Sequence, residues 1–358
     1  MNYRRASRLL LPAGLFAALA SSSAIAAPAT DVSILATARA IFAPLPASAP
    51  NPDNPVTPDK VVLGKQLFFD ARLSKGGTVS CNSCHNLATY GVDNLSFSMG
   101  HKGQFGGRNS PSVLNAALLK PHFWDGRAKD AEEQAKGPIM NPVEMAIPHE
   151  AYAVERIASI PEYRTQFARV FPGDKQPVSY DNIAKAIAAF ERTLLTPAPF
   201  DAWLKGDAKA LSAQQVRGAK TFIDKGCVAC HAGATLGGDN LFKFGLVQGP
   251  YSKFTGVPNK DAGVYDISKK EADRDVFRTP SLRNVARTYP YFHDGSVWQL
   301  DQAIRVMSQT QLGLKLTDNE VADVQAFLES LTGTIPASAL QLPVLPASTA
   351  ATSKPDNS

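Results

Sequence analysis

The sequence has no long apolar run beyond its first residues, and it has no dense run of lysine and arginine. Outside the N-terminus, no stretch approaches the 18 apolar residues that a membrane-spanning helix needs. The formal charge of +5 comes from basic residues spread along the chain, so it is no evidence for nucleic-acid binding. These two absences argue against a membrane-spanning protein and against a nucleic-acid-binding protein.

Residues 1–26 have the pattern of a secretory signal peptide. Its parts are a positive segment with Arg4, Arg5 and Arg8, an apolar segment from Leu9 to Ala20, and the cleavage site Ala24-Ile25-Ala26 before Ala27. The apolar segment is too short for a stable membrane span. Removing three arginines leaves a formal charge of +2. We therefore expect an exported, soluble mature protein.

Cysteine is rare, and all four cysteines fall in two copies of one motif. The copies are Cys81-Asn82-Ser83-Cys84-His85 and Cys227-Val228-Ala229-Cys230-His231. This pattern is the attachment signature of a c-type haem. Two thiols at this spacing reach the vinyl edge of one porphyrin, and the following histidine is the proximal ligand of the iron. The sequence predicts two covalently bound haem c groups, and export agrees with their attachment in the bacterial periplasm.

Two other interpretations of the cysteines remain open at this point. The four thiols suffice for two disulfides, or for one structural zinc site made from both pairs. A zinc site of four thiolates has no use for a histidine after each pair. Haem attachment is therefore favoured.

Strand patterns are scarce, whereas helical patterns are frequent. The clearest helix is predicted from Tyr180 to Leu195, where apolar residues recur at three- and four-residue spacing. Ser212 with Gln215, and Thr317 with Glu320, form capping boxes that predict two further helix starts. We expect an all-α fold with two cytochrome-c-like haem domains and long loops.

The chain is long enough for two domains, and its two haem motifs lie 146 positions apart. We expect a signal peptide (1–26), an N-terminal helix with a proline-rich connection (27–58), a first haem domain (59–196), a second haem domain (197–334) and a flexible tail (335–358). Pro197 and Pro199 mark the boundary between the two domains. The tail is assigned because alanine, proline, serine and threonine dominate it.

A longer pattern also repeats, at a constant spacing of 169 positions. Pro111-Ser112, Asn115 and the run from Pro121 to Gly126 recur as Pro280-Ser281, Asn284 and the run from Pro290 to Gly295. This repeat indicates that one haem domain was duplicated. Trp124 occupies in the first copy the position that His293 occupies in the second. The two halves are therefore expected to share a fold and to differ in chemistry.

The side chain opposite each proximal histidine decides what each haem can do. The candidates are His101, His122, His149 and His293, and Met99, Met140, Met145 and Met307. A thioether ligand raises the reduction potential of a haem, and a second imidazole leaves it low. Met307 is the methionine candidate for the second haem because the other three belong to the first half.

The sequence resembles the bacterial di-haem cytochrome c peroxidases over nearly the whole mature chain, from Leu63 to Gly333. The motifs that carry the resemblance are Leu73-Ser74 ahead of Ser80-Cys81, Gly100-His101, Arg108 to Pro111, Phe123 to Arg127, Glu133 to Pro138, Glu144-Met145, Pro280 to Asn284, Tyr291 to Gly295, and Val306-Met307.

The resemblance implies a role for each of five residues. His101 would be the displaceable distal ligand of a low-potential N-terminal haem, which leaves the iron when the other haem is reduced. Glu144 would be the catalytic acid/base, with Gln134 beside it. Met307 would be the axial ligand of a high-potential C-terminal haem. Trp124 would lie on the electron route between the haems.

The resemblance also implies the reaction and its partners. A small c-type cytochrome or a cupredoxin would deliver electrons to the C-terminal haem, and the N-terminal haem would reduce H2O2 to water. Asn109, Thr288 and Pro290 would form a Ca²⁺ site at the domain interface, the last two through backbone carbonyls. The protein would be a homodimer.

Two other functions compete with this one. A related di-haem oxidase acts on tryptophans of a partner protein, but it has tyrosine in place of the axial methionine, so Met307 argues against it. A non-catalytic di-haem electron carrier would keep both irons six-coordinate and would not react with peroxide in any redox state.

Overall fold

Two helix-rich units make up the computed structural model, which describes residues 29–258 and 261–356 together with Met1. Apart from Met1, the predicted signal peptide lies outside these ranges. The α-helices are α1 (Ala29–Ile41), α2 (Pro58–Phe69), α3 (Cys81–Cys84), α4 (Ala131–Met140), α5 (Glu150–Ala158), α6 (Pro161–Val170), α7 (Tyr180–Glu191), α8 (Pro199–Leu204), α9 (Ala213–Asp224), α10 (Ser252–Thr255), α11 (Tyr265–Ser268), α12 (Leu300–Leu312), α13 (Asp318–Glu329) and α14 (Ala337–Leu340).

Short 3₁₀ turns and one small sheet complete the secondary structure of the described ranges. The turns are Ala71–Leu73, Leu87–Thr89, His101–Gly103, Ala116–Leu118, Cys227–Ala229, Glu271–Asp273 and Val285–Arg287. The sheet pairs β1 (Leu241–Lys243) with β2 (Val276–Arg278) in antiparallel fashion. The predicted all-α fold with two cytochrome-c-like domains is confirmed.

The N-terminal unit is built on the crossing of α2 and α7. Thr57 caps α2 by accepting a hydrogen bond from the Lys60 backbone, and Pro58 occupies the first turn, where its missing N–H costs nothing. At the crossing, a Cβ on Gly64 would lie 1.8 Å from the Ala186 carbonyl oxygen. Only glycine permits this approach of the two backbones.

The C-terminal unit repeats this crossing with α9 and α13. Both predicted capping boxes are present, one at Ser212 and the other at Thr317. A Cβ on Gly218 would lie 1.8 Å from the Asp323 carbonyl oxygen. The same close helix contact therefore occurs in both copies of the duplicated domain.

Each unit has its own hydrophobic core. The first core includes Leu63, Leu67, Phe68, Tyr163, Phe167, Ile183, Ile187 and Phe190, and the second includes Ile34, Phe42, Phe200, Trp203, Phe222, Val324, Phe327 and Leu331. The second core contains residues of α1, so the N-terminal helix packs on the C-terminal unit. Within the described part of the chain, no helix is both long and apolar enough to cross a bilayer.

The C-terminal segment packs on the N-terminal unit, whereas the sequence predicts a flexible tail over 335–358. Three side chains donate to backbone carbonyls of this segment: Gln66 to Val344 at 2.9 Å, Arg72 to Pro346 at 2.8 Å, and Arg156 to Lys354 at 2.9 Å. The partners that hold the tail lie hundreds of residues earlier in the chain. The composition of the tail therefore could not reveal them.

The repeat at 169 positions has the same backbone in both copies. Asn115 and Asn284 adopt left-handed conformations with φ of 61° and 62°, as do Phe123 and Phe292 with 63° and 72°. The two asparagine amides donate to one acceptor, the Thr196 hydroxyl, at 2.8 and 2.9 Å. All three of these polar residues are fully buried. The matched asparagines thus join the two units at one hydroxyl.

Candidate functional site

The first Cys-x-x-Cys-His motif opens onto a cavity of about 2310 Å³, part of which is open to solvent. Ser80 and Ser83 close a capping box around the single turn of α3, which places Cys81 and Cys84 on the cavity wall together with His85. A porphyrin attached to both thiols is compatible with this cavity.

The second motif opens onto a cavity of about 1230 Å³, part of which is open to solvent, that is lined mainly by aromatic and aliphatic side chains. Cys227, Cys230 and His231 line it, and Met307 on α12 lines it too. His231 Nδ1–H donates to the Leu236 carbonyl at 3.0 Å. This hydrogen bond orients the ring and leaves Nε2 free for a metal.

The two other interpretations of the cysteines are wrong. No disulfide joins any of the four cysteines. The two pairs line separate cavities, and no group of three or more His, Cys, Asp or Glu among the described residues could hold a metal ion. Burial lowers the pKa of His85 and of His231, which favours the neutral imidazole that binds iron. The residues present fit haem c.

Glu144 and Gln134 line the N-terminal cavity. Gln134 lies on α4, and Asn141, which ends this helix, donates from its amide to Glu144 Oε1 at 2.6 Å. Burial raises the pKa of Glu144, although the charge of Arg127 and the Asn141 hydrogen bond act in the opposite direction. A half-buried carboxyl with a raised pKa is suited to accepting a proton and releasing it again.

His101 lies beside Glu144 along the backbone, but it is not one of the residues that line the cavity. Its N–H donates to the Glu144 carbonyl at 2.8 Å, and its side chain is buried. A Cβ on the neighbouring Gly100 would lie 2.1 Å from the Val143 carbonyl oxygen, so the two loops are in close contact. The role of His101 as an iron ligand stays a prediction.

Trp124 and Arg278 line both cavities, and we call these two residues the shared wall. Trp124 Nε1–H donates to the Asn109 carbonyl at 2.8 Å. The backbone contacts across the wall are reciprocal, since Asn109 N–H donates to the His293 carbonyl and Arg278 N–H donates to the Trp124 carbonyl, each at 2.7 Å. Residues 109 and 278, like 124 and 293, are related by the 169-position repeat.

His293 lines the C-terminal cavity, and its ring already has hydrogen-bonding and stacking partners. Its Nε2 is hydrogen-bonded to the Tyr251 hydroxyl at 3.0 Å, and its ring stacks on Phe277 with a centroid distance of 4.0 Å. These contacts describe a satisfied polar residue rather than an axial ligand.

The residues expected to bind calcium lie where the two units meet. The Asn109 side chain is buried, and Asn94, on the same loop region, donates to the Tyr289 carbonyl between Thr288 and Pro290 at 2.7 Å. The 94–109 region thus contacts the 288–290 region. The calcium site itself stays a prediction.

An ion network across the two units was not predicted from the sequence. Arg108 binds Asp261 with two hydrogen bonds of 2.6 and 2.8 Å, and it also pairs with Asp125. Burial raises the pKa of Asp261, but the Arg108 hydrogen bonds outweigh it and hold that pKa below its ordinary value. Asp261 lies in a loop without a recognisable motif, so only the structure could bring it to Arg108.

Comparison with known proteins agrees with this architecture. Residues 58–209 match the family model for di-haem cytochrome c peroxidase, and residues 215–332 match that for cytochrome c. The cytochrome c551 peroxidase of Pseudomonas aeruginosa is 48% identical over 320 residues, which are 89% of this chain and 91% of that protein. The cytochrome c551 peroxidase of Nitrosomonas europaea is also 48% identical, over 85% of this chain and 87% of its own.

Related proteins with other names are more distant. The methylamine utilization protein MauG of Methylorubrum extorquens is 37% identical, over 84% of this chain and 86% of its own. The crystal structure of a MauG-like protein associated with microbial copper homeostasis superposes with a TM-score of 0.72 and 29% identity, over 84% of this chain and 97% of that one. The di-haem peroxidase BthA of Burkholderia thailandensis superposes with a TM-score of 0.66 and is 21% identical in sequence, so it shows the shared fold alone.

Proposed function

Because the chain belongs to the di-haem cytochrome c peroxidase family and is a cytochrome-c peroxidase, we propose that its two cavities divide the reaction between them. The cavity at His85 is the peroxide site, and the cavity at His231 is the site of electron entry. One observation carries this assignment. Glu144 and Gln134 line the first cavity, whereas Met307 lines the second.

One haem c fits each half of the chain. Cys81 and Cys84 would hold the first by thioether bonds, with His85 as proximal ligand, and the second motif supplies the same three groups. When bound, each haem supplies an iron that exchanges single electrons. Met307 would complete the coordination of the second iron, and a thioether there favours the reduced state.

Glu144 is assigned the proton transfer. Reduction of H2O2 to two waters consumes two electrons and two protons, and one proton must move between the peroxide oxygens as their bond breaks. The half-buried carboxyl accepts the proton from one oxygen and delivers it to the other. Asn141 holds Glu144 Oε1, which leaves Oε2 available for this exchange. Gln134, on the same wall, positions the substrate by hydrogen bonding.

Electrons cross from the second cavity to the first through the shared wall. Trp124 lines both cavities, and its indole N–H is anchored on the Asn109 carbonyl. A rigid aromatic side chain at this position shortens the distance that an electron must cross between the two sites. Its matched residue His293 lies 6.2 Å away between ring centroids.

His101 is assigned the displaceable ligand of the N-terminal site on the strength of the resemblance. Its backbone is hydrogen-bonded to Glu144, and the adjoining loop contains Gly103, Gly106 and Gly107, which suits a segment that moves.

A small cytochrome c or a cupredoxin is the electron donor, and the enzyme works in the periplasm as a homodimer. A Ca²⁺ ion held by Asn109, Thr288 and Pro290 joins the two units.

The test is the variant Glu144→Gln, assayed for steady-state H2O2 reduction after confirming that two haems are bound. Removing the acid/base group should lower kcat by roughly 10²–10⁴-fold. The control is Glu150→Gln, which changes an exposed carboxylate six residues later and should keep wild-type activity. Wild-type activity in Glu144→Gln would refute the assignment.

A further inference from the structure

Two buried nitrogen atoms of the N-terminal cavity have no hydrogen-bond partner in the described part of the chain: His122 Nε2 and Arg278 Nη1. His122 is 5% exposed and Arg278 is 3% exposed, and both residues line this cavity. An unpaired buried polar group costs about 1–3 kcal/mol, and more when it is charged. Two such groups in one cavity point to an absent ligand.

Arg278 is held in place by its other contacts. Its backbone N–H donates to the Trp124 carbonyl, and its Nε donates to the Phe123 carbonyl at 3.0 Å. Among the described residues, no carboxylate forms an ion pair with Arg278, although Asp239 acts on it through longer-range charge. The guanidinium is thus fixed in the shared wall, and its charge is not neutralised by a direct contact.

The electrostatics of the pair agree with a missing anion. Burial lowers the pKa of Arg278 to about 10. Burial, reinforced by the charge of Arg278, lowers the pKa of His122 to about 4. A negative charge between the two groups would oppose both shifts. It would also favour the protonated imidazole, in which both ring nitrogens donate.

The repeat does not reproduce this pair at the matched positions of the other half. Arg278 occupies the position of Asn109, whose side-chain amide already donates to the Leu95 carbonyl at 2.8 Å. His122 occupies the position of Tyr291, which has no imidazole. The matched positions of the other half therefore do not reproduce the unpaired donors.

We propose that His122 and Arg278 bind a carboxylate, one propionate of the haem attached to Cys81 and Cys84. This assignment rests on the haem placement given under Proposed function. The site uses one residue from each half of the chain, so a residue of the C-terminal unit, Arg278, helps to bind the N-terminal haem. Arg278 also neutralises charge at that haem and raises its reduction potential.

The first experiment is a spectroelectrochemical titration of the holoenzyme. Arg278→Gln should disfavour reduction of the N-terminal haem about tenfold, which is about 59 mV for a one-electron couple. Arg278→Lys keeps the charge and should recover most of this shift. The control Arg274→Gln, four positions earlier and paired with Glu271, should leave both potentials unchanged.

The second experiment separates propionate binding from the general effect of charge. Resonance Raman spectra of the half-reduced enzyme resolve the propionate bending bands of the two haems, because their irons differ in oxidation state. Arg278→Gln, Arg278→Lys and His122→Phe should each shift the band of the N-terminal haem. His122→Phe and Arg278→Lys keep the test decisive if Arg278→Gln does not fold.

The outcomes distinguish this site from the proposed function. Unchanged propionate bands in His122→Phe and Arg278→Lys, with two haems bound, would overturn the site, and so would a shift confined to the C-terminal haem. Shifted N-terminal bands in an enzyme whose Glu144→Gln variant keeps full activity would leave the site standing and refute the catalytic assignment.

Discussion

Met307 is the side chain expected to give the C-terminal haem its high reduction potential. It lies on α12 and packs near Trp124 and Val306 at the C-terminal cavity. Because a thioether stabilises ferrous iron, Met307→Ala should lower the potential of the C-terminal haem by at least about 59 mV, a tenfold change in its reduction equilibrium. A redox titration measures this shift.

The matched control for Met307 is Met140→Leu, which alters an exposed methionine at the end of α4. This variant should leave both potentials unchanged. If Met307→Ala also left them unchanged, the second iron would not carry the thioether, and the assignment of the electron-entry site would fail.

Glu191 is a buried carboxyl of the N-terminal cavity that should make stability depend on pH. Burial, with a smaller contribution from Glu132, raises its pKa to about 8, although Arg192 opposes the shift. A raised pKa in the folded state means that the protonated form is favoured by folding. The stabilisation is therefore fully present below the ordinary value of 4.5 and is lost as the pH rises towards about 8.

Replacing Glu191 with glutamine should remove this pH dependence. The free energy of unfolding of Glu191→Gln minus that of the wild type should rise by roughly 2–5 kcal/mol from about pH 5 to about pH 8. Urea unfolding at a series of pH values measures the difference, with Glu150→Gln as the exposed control. A difference that stays constant over this range would show that the Glu191 pKa is not raised.

Residues that act through local chemistry could be predicted from the sequence, whereas residues that act across the interface could not. The two Cys-x-x-Cys-His motifs identify both haem cavities, because haem attachment needs two cysteines and a histidine that are close together in the sequence. Arg278 carries no such pattern. The 169-position repeat relates it to Asn109, but the unpaired Nη1 that gives it a role becomes visible only when Trp124 and Phe123 are placed beside it.

At the scale of secondary structure, helices with local signals agree with prediction, whereas the C-terminal tail differs from it. The helix predicted from Tyr180 to Leu195 begins at Tyr180 as α7 but ends earlier, at Glu191. The capping boxes at Ser212 and Thr317 start α9 and α13. Periodicity and capping involve residues within four positions of one another. The tail depends instead on donors of the other unit, which composition does not reveal.

The tail should stabilise the N-terminal unit. A chain that ends at Gln341 loses the carbonyl partners of Gln66, Arg72 and Arg156, and Arg156 is 2% exposed. Hydrogen bonds to charged donors contribute about 1.5–3 kcal/mol each, so we expect a loss of roughly 2–4 kcal/mol after relaxation. Urea unfolding measures the loss, and hydrogen exchange should locate it in α2 and α5.

A chain that ends at Asp356 is the control for this truncation, because it keeps all three carbonyls. If the chain ending at Gln341 were as stable as this control, or if protection were lost in α9 rather than α2, the contacts of the tail would not contribute to folding.

At the scale of the whole molecule, each terminal segment of the chain packs on the unit that is distant from it in sequence, and the two units are in direct contact. Helix α1 packs on the C-terminal core, and the tail packs on the N-terminal unit. Arg108 binds Asp261 across the boundary, and the backbones at Trp124 and Arg278 are hydrogen-bonded across it. These contacts hold both cavities against one wall, which is the arrangement that electron transfer between two fixed sites requires.

The division of labour between the two cavities is tested most directly by mixing H2O2 with enzyme that holds one electron, in a stopped-flow spectrophotometer. Fully oxidised enzyme and half-reduced Glu144→Gln are measured in parallel. We predict a rapid spectral change of the N-terminal haem in half-reduced wild type and a reaction slower by roughly 10²-fold or more in the variant. No reaction of half-reduced wild type, or an equally fast one in the variant, would contradict the account.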